Sequence, residues 1–482
     1  MASVKTLVRL AALGATLLLL AGCGGTVDGK ATSSLWDPNR VAGLPVTDGP
    51  TGIRTDAPEP TGTVEDTDGG QIDKLALLSI NDIEDYWSQH YSPGLNGTFK
   101  PVDTLRSYDP HDRDTEICGE STYGSINAMY CNDDRSISWD RAMLLPTAAK
   151  FFGDLAVTGI LAHEYGHAIQ KMAGLVSRKT SVLVLEQQAD CFAGDYMRWV
   201  AEGESKRFEL STGDGLNHML AGLLTMRDPV LTPLDNPDNG HGTALDRISA
   251  FQLGFTSGAA LCAEIDADEV EHRRGDLPQS LLVDPTAGLL SRDVGVTESV
   301  LTSLMEILNV VYSPANPPTL STGGGSCPDA EATPPASYCP SNNTIYVDLD
   351  ALAKLGQPAT ETKNYVLLQG DNTAISVLTS RYALAVQNGK GLSLRGATTA
   401  LRTACLTGAA QRAMASEIST PSGQPLILTA GDVDEAVAGL LSNGLAASDV
   451  DGGTVAAGFT RIQAYRAGLV GTDMDACNTR FP

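Results

Sequence analysis

The sequence predicts an α+β fold in which one unit of helices and short strands occurs twice in tandem. Two kinds of observation predict it. Groups of residues recur in the same order in the two parts of the 482-residue chain, beginning with Tyr-Ser-Pro at 91–93 and again at 312–314. The first part also contains a helix-like apolar pattern over 157–171 and a strand-like segment over 136–140, two periods that distinguish a helix from a strand.

The N-terminus has the features of a lipoprotein signal. Lys5 and Arg9 precede an uncharged run over 10–22, mostly Leu and Ala, which is too short to span a bilayer. The run ends in Leu-Ala-Gly-Cys at 20–23, which resembles a bacterial lipobox whose Cys23 carries acyl chains such as palmitate. The sequence therefore predicts a signal peptide over 1–22 and a lipid anchor at the extracytoplasmic face of the cell membrane. An ordinary signal peptide with an incidental cysteine remains the alternative.

Composition separates the next segment from the rest of the chain. Residues 23–69 are rich in Gly, Thr, Asp and Pro and lack apolar periodicity, which predicts a lipidated cysteine followed by a disordered tether. Hydrophobic residues make up 42% of the whole chain, so the remainder can bury a core. The formal charge of -25 would repel a phosphate backbone, and nucleic acid is therefore not an expected partner.

The repeated residues run through the whole body of the protein. They pair Tyr130-Cys131 with Tyr338-Cys339, Gly153-Asp154 with Gly370-Asp371, Leu161 and Tyr165 with Leu378 and Tyr382, Cys191 and Gly194 with Cys405 and Gly408, Gly213-Asp214 with Gly431-Asp432, and Arg247-Ile248 with Arg461-Ile462. Because chance matches do not keep their order over such a length, we expect two copies of one domain, over 70–275 and 276–482.

The cysteines follow the repeat. Without Cys23, eight of the nine remain, four in each copy at equivalent places, and an exported protein can form disulfides. Sequence alone permits three pairings in each copy. The duplication and two short, equivalent spacings favour Cys118 with Cys131, Cys327 with Cys339, Cys191 with Cys262, and Cys405 with Cys477.

The first copy contains a His-Glu-x-x-His motif at 163–167, inside the helix-like segment. Residues four apart share one face of a helix, so His163 and His167 can reach the same ion. Glu164 lies beside them and can act on a water at that ion. Two imidazoles and an open position suit Zn²⁺, which is the cofactor that the motif predicts.

A third ligand is expected from the next apolar segment, where Glu186 and Asp190 are four residues apart. The spacing is similar to that of glutamate-zincins, in which a Glu ligand on a second helix is followed four residues later by an acid. That acid accepts a hydrogen bond from a ligating histidine. The similarity assigns Glu186 as the ligand and Asp190 as the partner of a histidine, and the swapped assignment stays open.

These motifs together resemble those of the bacterial neutral zinc metallopeptidases. The resemblance covers essentially the first copy. It rests on Ile117-Cys118-Gly119, Tyr130-Cys131, the 136–140 segment, the 163–167 motif, the run from Gln188-Ala189-Asp190-Cys191 to Gly194, and His241-Gly242-Thr243 with Asp246-Arg247. It implies a mainly helical, zincin-like fold and peptidase activity. A second copy and a lipid signal are departures from the family.

His241 is the remaining catalytic candidate, because an imidazole in this turn-rich loop could stabilise the oxyanion of a tetrahedral intermediate. A solvated or helix-capping His241 is the alternative. The other histidines, which are His90, His111, His218 and His272, lie outside any ligand spacing and are interpreted as surface or structural residues.

The second copy lacks the residues of this site. Ser380, Arg381 and Leu384 stand where the first copy has the motif. Ala400 and Ala404 stand near the positions of the two acids. Without imidazoles and carboxylates this copy cannot build the same zinc site, and we expect it to fold as a degenerate copy.

The sequence thus predicts an exported zinc metallopeptidase that acts on peptide or protein substrates of the cell envelope, with Glu164 as general base. The strand over 137–139 is a candidate for pairing with an extended peptide. The alternative function is a cell-envelope binding or assembly lipoprotein in which the fold serves as a scaffold.

Overall fold

The computed structural model describes residues 36–92, 94–281, 283–284, 288–289, 293–364, 366–422 and 426–482. They form an α+β fold that is mainly helical, with small sheets of two or three strands. The predicted signal peptide (1–22), Cys23 and the tether up to residue 35 lie outside the described residues. No helix in the described ranges is both long and apolar enough to cross a membrane.

Residues 36–69 are not the disordered tether that their composition predicts. They contain three short strands, β1 (Arg40–Val41), β2 (Leu44–Pro45) and β3 (Gly52–Ile53), and β3 pairs with Phe208–Glu209 of the body. Thr47 and Thr212 exchange backbone and hydroxyl hydrogen bonds of 2.9–3.2 Å. The prediction of disorder is wrong for this segment, because hydrogen bonds of its backbone and hydroxyl groups hold it in place. Such bonds produce no apolar periodicity in the sequence.

The first half of the body follows this segment. Its elements are α1 (Gln71–His90), β4 (Thr104–Tyr108), β5 (Glu116–Ile117), β6 (Glu120–Ser121), β7 (Ala128–Cys131), β8 (Ser136–Asp140), α2 (Leu144–Phe152), α3 (Asp154–Ala173), α4 (Val182–Ala201), β9 (Phe208–Glu209), α5 (Asp214–Thr225), α6 (Ala244–Ser257), α7 (Ala259–Cys262) and α8 (Ala267–Arg274). Helix α3 packs on α1 and α4, and α4 packs on α6.

The second half repeats much of this order. After the hairpin β10 (Val283–Asp284) and β11 (Gly288–Leu289) its elements are α9 (Glu298–Tyr312), β12 (Thr319–Ser321), β13 (Ala336–Cys339), β14 (Thr344–Val347), α10 (Leu349–Leu355), α11 (Glu361–Asn364), α12 (Asp371–Gly389), α13 (Ala397–Met414), α14 (Asp432–Ser442), α15 (Gly458–Leu469) and α16 (Ala476–Arg480). The sequence predicts helices at the positions of both α3 and α12, and the structure has both.

Local sequence explains where the central helices α3 and α4 begin and end. Helix α3 is buried on nearly all sides, and it ends at Gly174, whose φ of 68° is the left-handed conformation that glycine adopts readily. Helix α4 begins after Ser181, whose hydroxyl accepts a hydrogen bond from the backbone N–H of Val184. The turn between them returns the chain antiparallel, so that α3 and α4 face each other.

The two halves share the topology of a three-stranded sheet. In the first, β8 lies in the middle, parallel to β4 and antiparallel to β7. In the second, β14 lies in the middle, parallel to β12 and antiparallel to β13. The same strand order and directions therefore occur twice.

Close helix crossings are also shared by the two halves. A Cβ atom at Gly194 of α4 would overlap the carbonyl oxygen of Phe251 in α6, and one at Gly408 of α13 would overlap that of Tyr465 in α15. Only glycine allows backbones to approach so closely. The Gly residues that match in the sequence thus mark the same contact.

The disulfides have the predicted pairing. Bonds join Cys118 to Cys131, Cys191 to Cys262, Cys327 to Cys339 and Cys405 to Cys477. Each half therefore has one disulfide beside its sheet and one that ties its glycine-containing helix, α4 or α13, to the end of the half.

The halves meet through α5 and α6 on one side and α14 and α15 on the other. Asp434 of α14 accepts a hydrogen bond of 3.0 Å from the backbone N–H of Ala244, the first residue of α6. Asn217 of α5 accepts one of 2.6 Å from the backbone N–H of Gly458, the first residue of α15. The contact is reciprocal, since each half provides a side-chain oxygen to a helix start in the other.

Candidate metal centre

Helices α3 and α4 bring the predicted metal ligands together. One ligand atom from each of His163, His167 and Glu186 lies within 4.8 Å of the other two. The Glu186 carboxylate is 3.0 Å from Nε2 of His163 and 3.6 Å from Nε2 of His167. Both imidazoles thus present the same nitrogen to one carboxylate.

The Nδ1 atom of each imidazole contacts a side-chain oxygen. Nδ1 of His163 lies 2.8 Å from Oδ1 of Asp190, and Nδ1 of His167 lies 3.0 Å from Oε1 of Gln170. Such contacts fix the tautomer in which Nε2 is free to bind a metal. Two imidazoles and one carboxylate with converging atoms are a donor set that fits Zn²⁺.

Asp190 is itself fixed by a buried arginine. Nε and Nη2 of Arg247, on α6, donate hydrogen bonds of 2.9 and 2.8 Å to the two carboxylate oxygens of Asp190. Both side chains are almost fully buried. Burial opposes the ionised form of Asp190, but Arg247 and His163 outweigh it and lower the pKa of that carboxyl group.

The charges of the cluster influence its titration. Burial alone lowers the pKa of His163, but the carboxylates of Asp190 and Glu186 outweigh it and raise the pKa to about 10. Burial and the charge of His163 lower the pKa of His167. The two carboxylates therefore favour a positive charge at His163, where the candidate ligand atoms converge.

Glu164 points to the sheet. Its Oε2 accepts a hydrogen bond of 3.1 Å from the backbone N–H of Tyr130 on β7. Burial raises the pKa of Glu164 to about 7, and the nearby charge of Glu186 adds to the rise. A carboxyl group with such a pKa can both accept and donate a proton near neutral pH.

His241 lies at the rim of the cluster. Its Nε2 is 3.8 Å from the Glu186 carboxylate and its Nδ1 is 3.3 Å from Oδ1 of Asp228. The hydrogen bond to Asp228 raises the pKa of His241. Its side chain is 54% exposed, which leaves it open to a substrate.

The sequence around this cluster is similar to that of a known protein family. Residues 37–265 match the family model described as "Putative neutral zinc metallopeptidase". The matched range contains the whole cluster and also the 37–69 segment that packs on the first half. The description supports a zinc-dependent hydrolase.

The chain is also similar to curated proteins over part of its length. The chain is 27% identical over 205 residues to "Uncharacterized protein YpfJ" of Escherichia coli strain K12, across 38% of this chain and 68% of the relative. It is 25% identical over 162 residues to "Uncharacterized protein Rv2575" of Mycobacterium tuberculosis strain H37Rv, across 29% of this chain and 55% of the relative. No solved structure matches the chain significantly.

The strand expected to pair with a peptide is not available for pairing. Residues 137–139 belong to β8, which is hydrogen-bonded to β4 on one side and β7 on the other. The prediction is wrong because a central strand has no free edge. The edge strand next to α3 is β7, whose Tyr130 contacts Glu164.

An apolar cavity of about 270 Å³ lies beside His163. Its walls come from the five helices α2 to α6, and they include Ile160, Ala193, Met219, Leu223 and Phe251. Thr147 and the exposed side chain of Met143 also line it, on the outer side. The cavity can accept a large apolar side chain.

In the second half, Arg381 stands at the position that Glu164 has in the first. Arg381 is fully buried, and it donates hydrogen bonds of 2.8 Å to the carbonyl oxygen of Ala336 on β13 and to Oγ of Ser448. Glu164 accepts a hydrogen bond from strand β7, whereas Arg381 donates one to the matching strand β13. Ser380, Arg381 and Leu384 provide no imidazole, thiolate or carboxylate, which are the donors of a zinc site.

Two residues of the site carry no motif of their own. Arg247 is visible in the sequence as part of the repeat, since Arg461 stands at the matching position, and as part of the Asp246-Arg247 pair in the family resemblance. Asp228 lies in a loop with no periodic signal. Both act through another side chain, and the spacing of residues along the chain does not show such contacts.

Proposed function

We propose that the protein is a zinc-dependent metallopeptidase whose active site is the cluster on α3 and α4. The convergence of His163, His167 and Glu186 on one point, with Glu164 next to them, carries the proposal. A structural metal site has its ligands closed around the ion and needs no base beside it. The family match over 37–265 supports the same activity.

The residues divide the work of peptide hydrolysis. Zinc, when bound by His163, His167 and Glu186, would lower the pKa of a water molecule and polarise the carbonyl of the scissile bond. Glu164, held at Oε2 by Tyr130, would accept a proton from the attacking water and deliver it to the leaving amine nitrogen. His241 would donate a hydrogen bond to the developing oxyanion.

Glu164→Gln tests the proposal. The amide keeps an oxygen for the N–H of Tyr130 but cannot accept the proton, so we expect zinc content to stay at one per chain. Turnover of a peptide library should fall about 10²–10⁴-fold. Glu202→Gln, at the exposed end of α4, is the matched control. Bound zinc without any Glu164-dependent turnover would favour the binding or assembly scaffold instead.

We further propose that the two halves arose by tandem duplication of one zincin-like domain. The repeated sheet topology, the matching disulfides and the shared glycine crossings support it. The residues that were kept serve packing, and those that were lost are the ligands and the base. The second half then acts as a scaffold for the first.

The apolar cavity beside His163 should favour substrates with a large apolar side chain next to the scissile bond. Burying such a side chain contributes about 1.5–3 kcal/mol, which is roughly tenfold or more in kcat/KM. Thr147→Trp would fill the cavity from its rim, and we expect it to reduce the preference for Leu or Phe over Ala. Lys150→Trp, also exposed on α2 but outside the cavity, is the control. An unchanged preference would contradict this use of the cavity.

The lipobox supports a lipid anchor on Cys23 and a location at the extracytoplasmic face of the cell membrane, with substrates in the cell envelope. Cys23→Ala is expected to release the protein from membranes or to leave the precursor unprocessed. Partition into a detergent phase measures it. Partition equal to that of the unchanged chain would show that Cys23 carries no anchor.

A further inference from the structure

Acidic side chains meet in the second half, far along the chain from the zinc ligands. One carboxylate oxygen from each of Asp293, Asp371 and Glu435 lies within 4.8 Å of the other two. Asp371 is the first residue of α12, Glu435 lies in the first turn of α14, and Asp293 precedes α9. Asp371 and Glu435 are buried, with 3% and 8% of their surface exposed.

The buried carboxylates of Asp371 and Glu435 have no ion pair in the described ranges. The same holds within these ranges for the adjacent Asp432. Burial raises the pKa of Asp371 to about 6, and burial together with the neighbouring carboxylates raises the pKa of Glu435 well above its usual value. Such burial of like charges is costly unless a cation or protons accompany them.

One oxygen of the group has no hydrogen-bond partner. Oδ2 of Asp371 accepts a hydrogen bond of 2.8 Å from the backbone N–H of Val294, but its buried Oδ1 has none. Oε2 of Glu435 accepts one of 2.9 Å from the N–H of Asn372. Buried polar atoms are nearly always satisfied, so an orphaned carboxylate oxygen beside two other carboxylates indicates a missing ligand.

We propose that Asp293, Asp371 and Glu435 bind a hard divalent cation of the Ca²⁺ and Mg²⁺ class. The donors are all carboxylate oxygens, the ligands that these cations prefer. No imidazole or thiolate is among them, which separates this site from a zinc site. The Oδ1 atom of Asp371 would gain its partner in the cation.

The first half lacks the equivalent group. Asp154 begins α3 as Asp371 begins α12, but Asp214, at the start of α5, has a side chain that is 79% exposed. Asn217 stands in the first turn of α5, where α14 has Glu435. The proposed site therefore belongs to the second half alone and does not depend on the proposed peptidase function.

The site would also affect the contact between the halves. Asp434, next to Glu435, accepts the hydrogen bond from Ala244 at the start of α6. A cation on Glu435 would hold the first turn of α14 in the position that this contact needs. The cation would thus stabilise the helix that carries Arg247.

Calorimetric titration of the full-length, zinc-loaded protein with Ca²⁺ tests the proposal, with Mg²⁺ and Mn²⁺ titrated in parallel. We expect one saturable site for at least one of these ions and a higher Tm when it is filled. Asp371→Asn and Glu435→Gln should each weaken binding at least tenfold. Asp154→Asn, at the matching position of α3, should leave it unchanged.

Two results would overturn the proposal. One is the absence of saturable binding of all three ions up to about 10 mM, beyond the weakest range of protein calcium sites. The other is undiminished binding by both Asp371→Asn and Glu435→Gln. Circular dichroism of each variant shows whether it is folded, and because the two substitutions lie on different helices, either folded variant suffices for the decision.

Discussion

Arg247→Met is expected to lower the free energy of unfolding by about 3–5 kcal/mol, because it removes the arginine that pairs with the fully buried carboxylate of Asp190. The guanidinium contacts both carboxylate oxygens at 2.8–2.9 Å and also donates to the carbonyl oxygen of Met226. Zinc affinity should fall as well, since Asp190 orients His163. Urea unfolding and zinc content measure the two effects.

A surface arginine provides the matched control for Arg247→Met. Arg40, with a side chain that is 49% exposed, pairs with Asp37, and Arg40→Met should change the free energy of unfolding by less than about 1 kcal/mol. The double variant Arg247→Met/Asp190→Asn should recover part of the lost stability, because it removes the unpaired charge. Equal stability of Arg247→Met and the unchanged protein would show that the pair contributes nothing.

Glu186→Ala is expected to abolish stoichiometric zinc binding, whereas Asp190→Asn should weaken it by about 10–100-fold. The reason is geometric. Glu186 faces Nε2 of both histidines, while Asp190 faces Nδ1 of His163 from behind. Zinc titration in competition with a chelator measures both affinities.

The order of the two effects decides the ligand assignment. Normal zinc binding by Glu186→Ala together with its loss in Asp190→Asn would reverse the roles of the two acids. Glu202→Ala, at the exposed end of α4, controls for a general effect of removing a carboxylate from this helix. It should bind zinc like the unchanged protein.

The sequence could predict those parts of the site that depend on helical spacing. His163, His167, Glu186 and Asp190 lie at intervals of four on two helices, so their faces follow from the period of the helix alone. The disulfides followed from the repeat in the same way. The helices of the second half could be placed because apolar and Gly positions recur in order.

Other parts of the structure depend on contacts that produce no periodic pattern in the sequence. The 36–69 segment is held by hydroxyl and backbone hydrogen bonds such as those of Thr47 and Thr212, so its composition indicated disorder. The edge of the sheet could not be located, because a strand-like segment does not show how many neighbours it has. Arg247 was visible as a repeated residue and in the family resemblance, but its contact with Asp190 was not predicted, because that ion pair joins two helices that are distant in the sequence.

The reciprocal contact between the halves has the form of an isologous dimer interface. In such an interface both partners use the same surface patch, so each contact occurs twice, once in each direction. Asn217 with Gly458 and Asp434 with Ala244 meet this condition at the level of helices, because both pairs join a side chain of α5 or α14 to the start of the other half's next long helix. The two side chains differ by one position in the repeat, since Asn217 matches Glu435. Under the proposed duplication, this contact would correspond to that of a homodimer fused into one chain. The proposal then leads us to expect that proteins with a single such unit form two-fold symmetric dimers through α5 and α6, with a candidate zinc site in each subunit.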